Sequence, residues 1–247
     1  ANILSERLGD TSESDTVWIK AAEAAGKLHV AQIPARVEER LRDTVETTAL
    51  RTAAPMALSG TGSEKDLSTL LEMLENATTE IRAGSALALG YTGRKAATQP
   101  LITRMQKDGE EVVRRDSAKA LGTLADPASE QALIKAMKED AKVSVKDEAA
   151  IALGNIKGRD GIAALIGVLQ DKTKENELRW NAASALGNVK TQAFEKSLSK
   201  RVQEGSAPLS EVVTALKAAL DDNIGRIHFE AAEALRKITG QKYGYER

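Results

Sequence analysis

Apolar and small residues recur in this chain as a ten-residue phrase with polar residues between them, and the phrase returns at a nearly constant interval. IRAGSALALG begins at Ile81, VRRDSAKALG at Val113, VKDEAAIALG at Val145 and LRWNAASALG at Leu178, so the openings lie 32, 32 and 33 residues apart. Weaker copies begin at Val17, Leu50 and Ile227. With successive residues turning by about 100°, phrase positions 1, 5, 8 and 9 share one helix face. In two copies these are Val113, Ser117, Ala120 and Leu121, and Val145, Ala149, Ala152 and Leu153. Position 6 is Ala at Ala22, Ala86, Ala118, Ala150 and Ala232, which lets a neighbouring helix approach closely. Position 10 is Gly at Gly26, Gly90, Gly122, Gly154 and Gly187. A glycine just past the last apolar position predicts a helix end with positive φ.

A second amphipathic run lies between phrases, as in 66–76, 100–109, 130–140 and 161–171, and Pro100 suits a first helical turn. Each repeat is therefore helix A, turn, helix B, turn. A period of this length predicts an all-α superhelix, a single solenoid of about seven helical hairpins over residues 1–247. The step from Leu178 to Ile227 is 49 residues. The excess falls on 192–220, where GSAP at 205–208 marks a break and Pro208 opens a further helix.

The phrase VR..AA.ALG, following an A helix that ends in Asp or Glu, resembles the HEAT-like repeats found in phycobilisome lyases. The resemblance covers nearly the whole chain. It implies the solenoid fold and a binding scaffold, with phycobilin lyase or chromophore chaperone as the alternative. A lyase would give a coloured product on co-expression with a bilin and a phycobiliprotein subunit. Deoxyhypusine hydroxylase is similar in its repeats but carries iron-binding His-Glu pairs at positions 3 and 4 of several B helices. Here those positions hold such pairs as Arg115–Asp116, Asp147–Glu148, Trp180–Asn181 and Phe229–Glu230, and His228 stands one place off.

Composition narrows the chemistry. Hydrophobic residues make up 42% and aromatics 3%, so the apolar share is mainly Ala and Leu, suited to close-packed helices. Charged residues are 29% with a net charge of −1, which argues against nucleic acid as a partner. There is no cysteine, and the two histidines are far apart in sequence. No nucleophile–base constellation, metal set or cofactor motif emerges, so no catalytic residue, metal or cofactor is expected. The glycine pairs Gly60/Gly62 and Gly90/Gly93 lack the spacing of a phosphate loop and read as turns. No apolar run is long enough to span a bilayer. No membrane insertion is expected, and a soluble cytoplasmic or bacterial periplasmic protein fits. End-to-end self-association is compatible with a repeat stack.

Two further patterns concern surfaces. Position 2 is basic in five successive copies (Arg51, Arg82, Arg114, Lys146, Arg179). Recurrence in every repeat favours a structural role, with each cation reaching acids or carbonyls of the preceding turn, such as Glu80 or Asp140. Positions 3 and 7 point away from the core stripe, yet carry Ile19, Met56, Leu87, Ile151, Trp180 and Phe229. In HEAT-like stacks the B helices line the concave side. The expected site for a protein or peptide partner is therefore Met56, Leu87, Ile151, Trp180 and Phe229 as apolar anchors, with Arg115, Lys119 and Asp147 for orientation. At the ends, Trp18, Tyr243 and Tyr245 are expected to cover open core.

Overall fold

Every copy of the phrase lies within a helix in the computed structural model, which describes residues 2–42, 47–76, 78–189 and 209–243. Among these residues there are fourteen α-helices and no strand. They pair as seven hairpins. The A helices are α1 (Asn2–Gly9), α3 (Ala35–Arg42), α5 (Glu64–Asn76), α7 (Thr98–Lys107), α9 (Glu130–Glu139), α11 (Arg159–Gln170) and α13 (Leu209–Ala219). The B helices carrying the phrase are α2 (Asp15–Lys27), α4 (Thr48–Ser59), α6 (Thr79–Tyr91), α8 (Glu111–Leu124), α10 (Val143–Ile156), α12 (Asn176–Gly187) and α14 (Gly225–Thr239). Contacts group the chain into two compact units, Ala1–Leu124 with four hairpins and Ala125–Arg247 with three. Within each unit a B helix packs on its own A helix and on the next B helix.

The core stripe is where the period places it. Val145, Ala149, Ala152 and Leu153 are at most 1% exposed, and their counterparts in α4, α6, α8, α12 and α14 are buried too. The first copy departs from this. Val17 is exposed and Trp18 is fully buried, its indole Nε1 donating to the Leu8 carbonyl at 3.1 Å. α1 thus holds Trp18 by its indole N–H, and the Arg40 guanidinium lies over the ring, 4.7 Å from its centroid.

The position-10 glycines do not end their helices in the way the phrase predicts. None of Gly26, Gly90, Gly122, Gly154 and Gly187 has positive φ. Gly26, Gly90, Gly154 and Gly187 are contact residues. A Cβ on Gly90 would lie 2.8 Å from Ala120 Cα, one on Gly154 2.7 Å from the Ala185 carbonyl, and one on Gly187 2.9 Å from Ala234 Cα. In these three pairs position 10 of one B helix meets position 8 of the next at backbone distance, whereas a Cβ on Gly26 would meet the Met56 carbonyl at position 7. The last copy has Arg236 in this slot, exposed to solvent. Gly62, Gly93 and Gly240 do take positive φ, in the turns after α4 and α6 and at the end of α14.

Of the segment read as irregular, 192–208 lies outside the described residues, as do Pro208 and Tyr245. Residues 209–219 form α13, which packs on α14 and on α11 and so supplies the A helix of the seventh hairpin. Tyr243 is partly exposed at the end of the last repeat, its hydroxyl bonded to Gln241 Oε1 at 3.1 Å.

Candidate binding surface

Three cations of the basic ladder at position 2 tie a hairpin to its successor. Arg82 of α6 grips Asp108, in the turn before α8, with Nε at 2.9 Å from Oδ2 and Nη2 at 3.2 Å from Oδ1. Lys146 of α10 reaches Glu175 before α12 at 3.1 Å. Arg179 of α12 binds Asp222 before α14 and donates from Nε to the Leu169 carbonyl at 3.2 Å. The cations thus reach forward to the following A–B turn. Arg114 alone is seen reaching back, to the carbonyls of Asp108 at 3.0 Å and Gly109 at 3.2 Å. Burial pushes the Asp108 and Asp222 carboxyls up, but their arginines, with the N–H of Glu110 or Ile224, hold both below the usual carboxylate range. These cations are engaged inside the fold and form no free basic stripe.

The ridge at positions 3 and 7 differs between the units. In the first, Met56 is 6% exposed and Ala83 is 2% exposed. Two close helix approaches bury them. A Cβ on Gly26 would lie 2.2 Å from the Met56 carbonyl, and one on Gly84 would lie 2.3 Å from the Thr52 carbonyl. Met56 is therefore a core residue rather than a surface anchor. Leu87 is partly exposed and Lys119 is exposed. Arg115 is turned onto Asp116 of its own helix, Nε to Oδ1 at 2.8 Å. Burial raises the Asp116 carboxyl above its ordinary range, with Arg115 and Lys119 opposing.

In the second unit the ridge is open and continuous over α10, α12 and α14. Ile151 is 38% exposed, Phe229 is 40% exposed, and Trp180 between them is partly exposed. Arg226 joins the two rings, its guanidinium 5.8 Å from the Trp180 centroid and 5.9 Å from that of Phe229. Glu230 holds that guanidinium at 2.7 Å. Asp147 stands one turn before Ile151, and Asn181, next to Trp180, hydrogen-bonds its carboxylate. Burial pushes this carboxyl up, and Glu177, Glu148 and Glu175 add to the effect. The structure thus gathers Asp147, Ile151, Trp180 and Phe229 on three successive helices, and Leu87, Arg115 and Lys119 on helices of the other unit.

Arg226, Glu177, Glu230 and Asn181 were missed by the sequence reading. Arg226 and Glu177 stand one place before the phrase opens, on the same helix face as positions 3 and 7 by the 100° rule. Extending the phrase by one residue would have included them.

Neither histidine suggests metal or acid–base chemistry. His228 Nδ1 is 2.5 Å from the Leu220 carbonyl, a helix-start contact, and His29 is in a turn with φ 52°. Among the described residues no group of His, Cys, Asp and Glu could hold a metal ion, and no helix is long and apolar enough to cross a membrane.

Stacked helical hairpins whose B helices cross at backbone distance, as at Gly90–Ala120, Gly154–Ala185 and Gly187–Ala234, define an α-solenoid repeat protein. The family model for HEAT repeats matches residues 68–143 and 130–210, more than half of the chain, and the chain belongs to that family. No curated protein sequence matches it. Among solved structures it is similar to YibA of E. coli, with 20% identity over 95% of this chain and 92% of that one at a TM-score of 0.52. It is likewise similar to the complex of CpcE and CpcF of phycocyanin lyase from Nostoc sp. PCC7120, with 20% identity over 96% and 94% of the two chains and a TM-score of 0.50. Human deoxyhypusine hydroxylase matches with 14% identity over 97% and 96% at a TM-score of 0.44. These likenesses concern the fold.

Proposed function

We propose that this chain is a non-enzymatic binding protein whose partner, a protein or peptide, docks on the ridge of α10, α12 and α14. The observation that carries the reading is the row of exposed Ile151 and Phe229 with partly exposed Trp180 on successive B helices, at positions a solvated ridge would fill with polar residues. Aromatic residues beside an arginine are the composition of recognition surfaces, where a few side chains supply most of the affinity. The phycocyanin-lyase relative in fold was solved as a complex of two chains, CpcE with CpcF, which supports a protein partner for this chain. Leu87 and Lys119 are proposed as a separate contact on the first unit.

The test is affinity capture from source-cell extract with wild type and with Trp180→Ala/Phe229→Ala, followed by titration of the captured partner after purification. Loss of about 2 kcal/mol or more, some thirtyfold in Kd, is the expected result for hot-spot aromatics. Equal affinity of the two proteins, both with unchanged helical circular dichroism, would move the site off this ridge.

A further inference from the structure

We propose that the first hairpin pairs this chain with a second copy of itself, α2 lying antiparallel against α2 of the other copy about a two-fold axis. This face is separate from the ridge of α10, α12 and α14, and its fate in the test is independent of that ridge.

The first hairpin leaves uncovered what the later ones bury. Position 1 of the phrase is at most 9% exposed in the six later copies, yet Val17 is 42% exposed. Position 12, just past the phrase, lies on the same helix face. It is buried at Val189 and Ile238 and half-buried at Thr61, Thr92, Leu124 and Ile156, whereas Leu28 is 70% exposed. α1 adds Ile3, which is 71% exposed, so three of the five exposed large apolar side chains among the described residues belong to this hairpin and its following turn. Between Val17 and Leu28 on their face of α2 stands Ala24, half-buried, at position 8. At Ala120, Ala185 and Ala234 that position meets a glycine of the preceding B helix. Among the described residues α2 is the first B helix, so it turns outward the surface with which later B helices dock.

The chain itself limits what can fill this face. Docking in the manner of the internal crossings needs a small residue at position 10 of the opposing helix. α14 has Arg236 there, exposed and bonded to Glu233 at 2.8 Å. Stacking α2 of one copy on α14 of another is therefore obstructed, and with it the growth of an open chain of copies. α2 is instead complementary to itself. Val17 and Leu28 are eleven residues apart, which is three turns and about 16 Å along one face. A two-fold axis level with their midpoint sets Val17 against Leu28 of the second copy and Ala24 against Ala21, so apolar residues meet at both ends and methyl-sized ones at the crossing. The charges of α2 are two acids and two bases, with Lys20 bonded to Glu23 at 3.0 Å and Asp15 3.6 Å from Arg40. Antiparallel pairing sets Lys27, in the last turn, toward the first turn of the other α2 and away from its counterpart. A single helix face is small for a protein interface, so a Kd of about 10–100 μM is expected.

Sedimentation equilibrium of the full chain from about 5 to 500 μM tests this. Wild type should pass from monomer to dimer and stop there. Val17→Asp/Leu28→Asp should weaken the dimer about tenfold or more, with unchanged helical circular dichroism because both side chains are exposed. The chain has no cysteine, so single cysteines report the register. Val17→Cys mixed with Leu28→Cys should give, on mild oxidation, a disulfide-linked pair of the two variants in excess over either variant linked to itself. Growth beyond the dimer or an excess of self-linked pairs overturns the two-fold pairing. A monomer at every concentration overturns the proposal and leaves the face to a helix of another protein.

Discussion

Asp147 has its carboxyl raised by burial, with Glu177, Glu148 and Glu175 adding to the shift and Asn181 only partly offsetting it. A carboxyl whose folded pKa lies above its unfolded value stabilises the fold when protonated and weighs against it when ionised. The penalty is therefore present at neutral pH and disappears as pH falls through the folded pKa. Asp147→Asn should raise the melting temperature at pH 7, and its advantage over wild type should close in acid; the same advantage at all pH values would sink the explanation. Arg179 is the contrasting case. Its side chain and that of Asp222 are 4% and 3% exposed. Arg179→Ala leaves a buried carboxylate without its cation and should cost about 3–5 kcal/mol in urea unfolding. Asp147, Ile151, Trp180 and Phe229 were legible as ridge residues because position within a 3.6-residue period determines which way a side chain leaves the helix. Met56 occupies the same phase and is buried, because phase carries no information on how closely the neighbouring helix approaches.

At the scale of helices, the period located all seven B helices and the core stripes of all but the first, since stacked hairpins bury small residues at this interval. The glycines were legible as significant, and their role was not. A helix-ending glycine and a glycine at a helix crossing occupy the same place in the sequence, and the coordinates distinguish them through φ and through the atoms opposite. This difference is testable. In an exposed helix, Gly→Ala stabilises by about 1 kcal/mol. Gly154→Ala should instead destabilise by about 1–3 kcal/mol, because the methyl would fall 2.7 Å from the Ala185 carbonyl and force α10 and α12 apart. Arg236→Ala, at the same phrase position in α14, should leave the urea midpoint unchanged, since Arg236 is exposed and bonds only along its own helix to Glu233. A stabilised Gly154→Ala would return the glycine to a capping role. The forward reach of the position-2 cations was equally hidden, because sequence offers Arg82 the nearby Glu80 of the preceding turn and only the packing of α6 on α8 brings Asp108, 26 residues on, to its guanidinium.

For the molecule as a whole, what holds one hairpin to the next within a unit is local, as in the Gly90–Ala120 crossing with Arg82 on Asp108 and the Gly187–Ala234 crossing with Arg179 on Asp222. Stability in such an array is close to a sum of repeat terms and nearest-neighbour terms, without a single central core. The contacts agree, grouping into Ala1–Leu124 and Ala125–Arg247, with a boundary that falls between two repeats. Damage in one unit should therefore stay largely within it. Arg179→Ala removes a link between α12 and α14, and the carbonyl of Leu169 in α11 loses a donor as well. Hydrogen exchange followed by mass spectrometry should show protection falling in α11, α12, α13 and α14 while α2, α4 and α6 exchange as in wild type. A uniform loss over both units would mean that the seven hairpins unfold as one cooperative body. The acid limb adds a second reading of the same device. Asp108 and Asp222 have folded pKa values below their unfolded ones, so the stability they contribute is complete above the ordinary carboxylate pKa and is lost as pH falls through the folded value. Each unit holds one of these carboxylates, so protection should decline in both units on acidification, and Asp222→Asn should flatten that decline in the second unit alone.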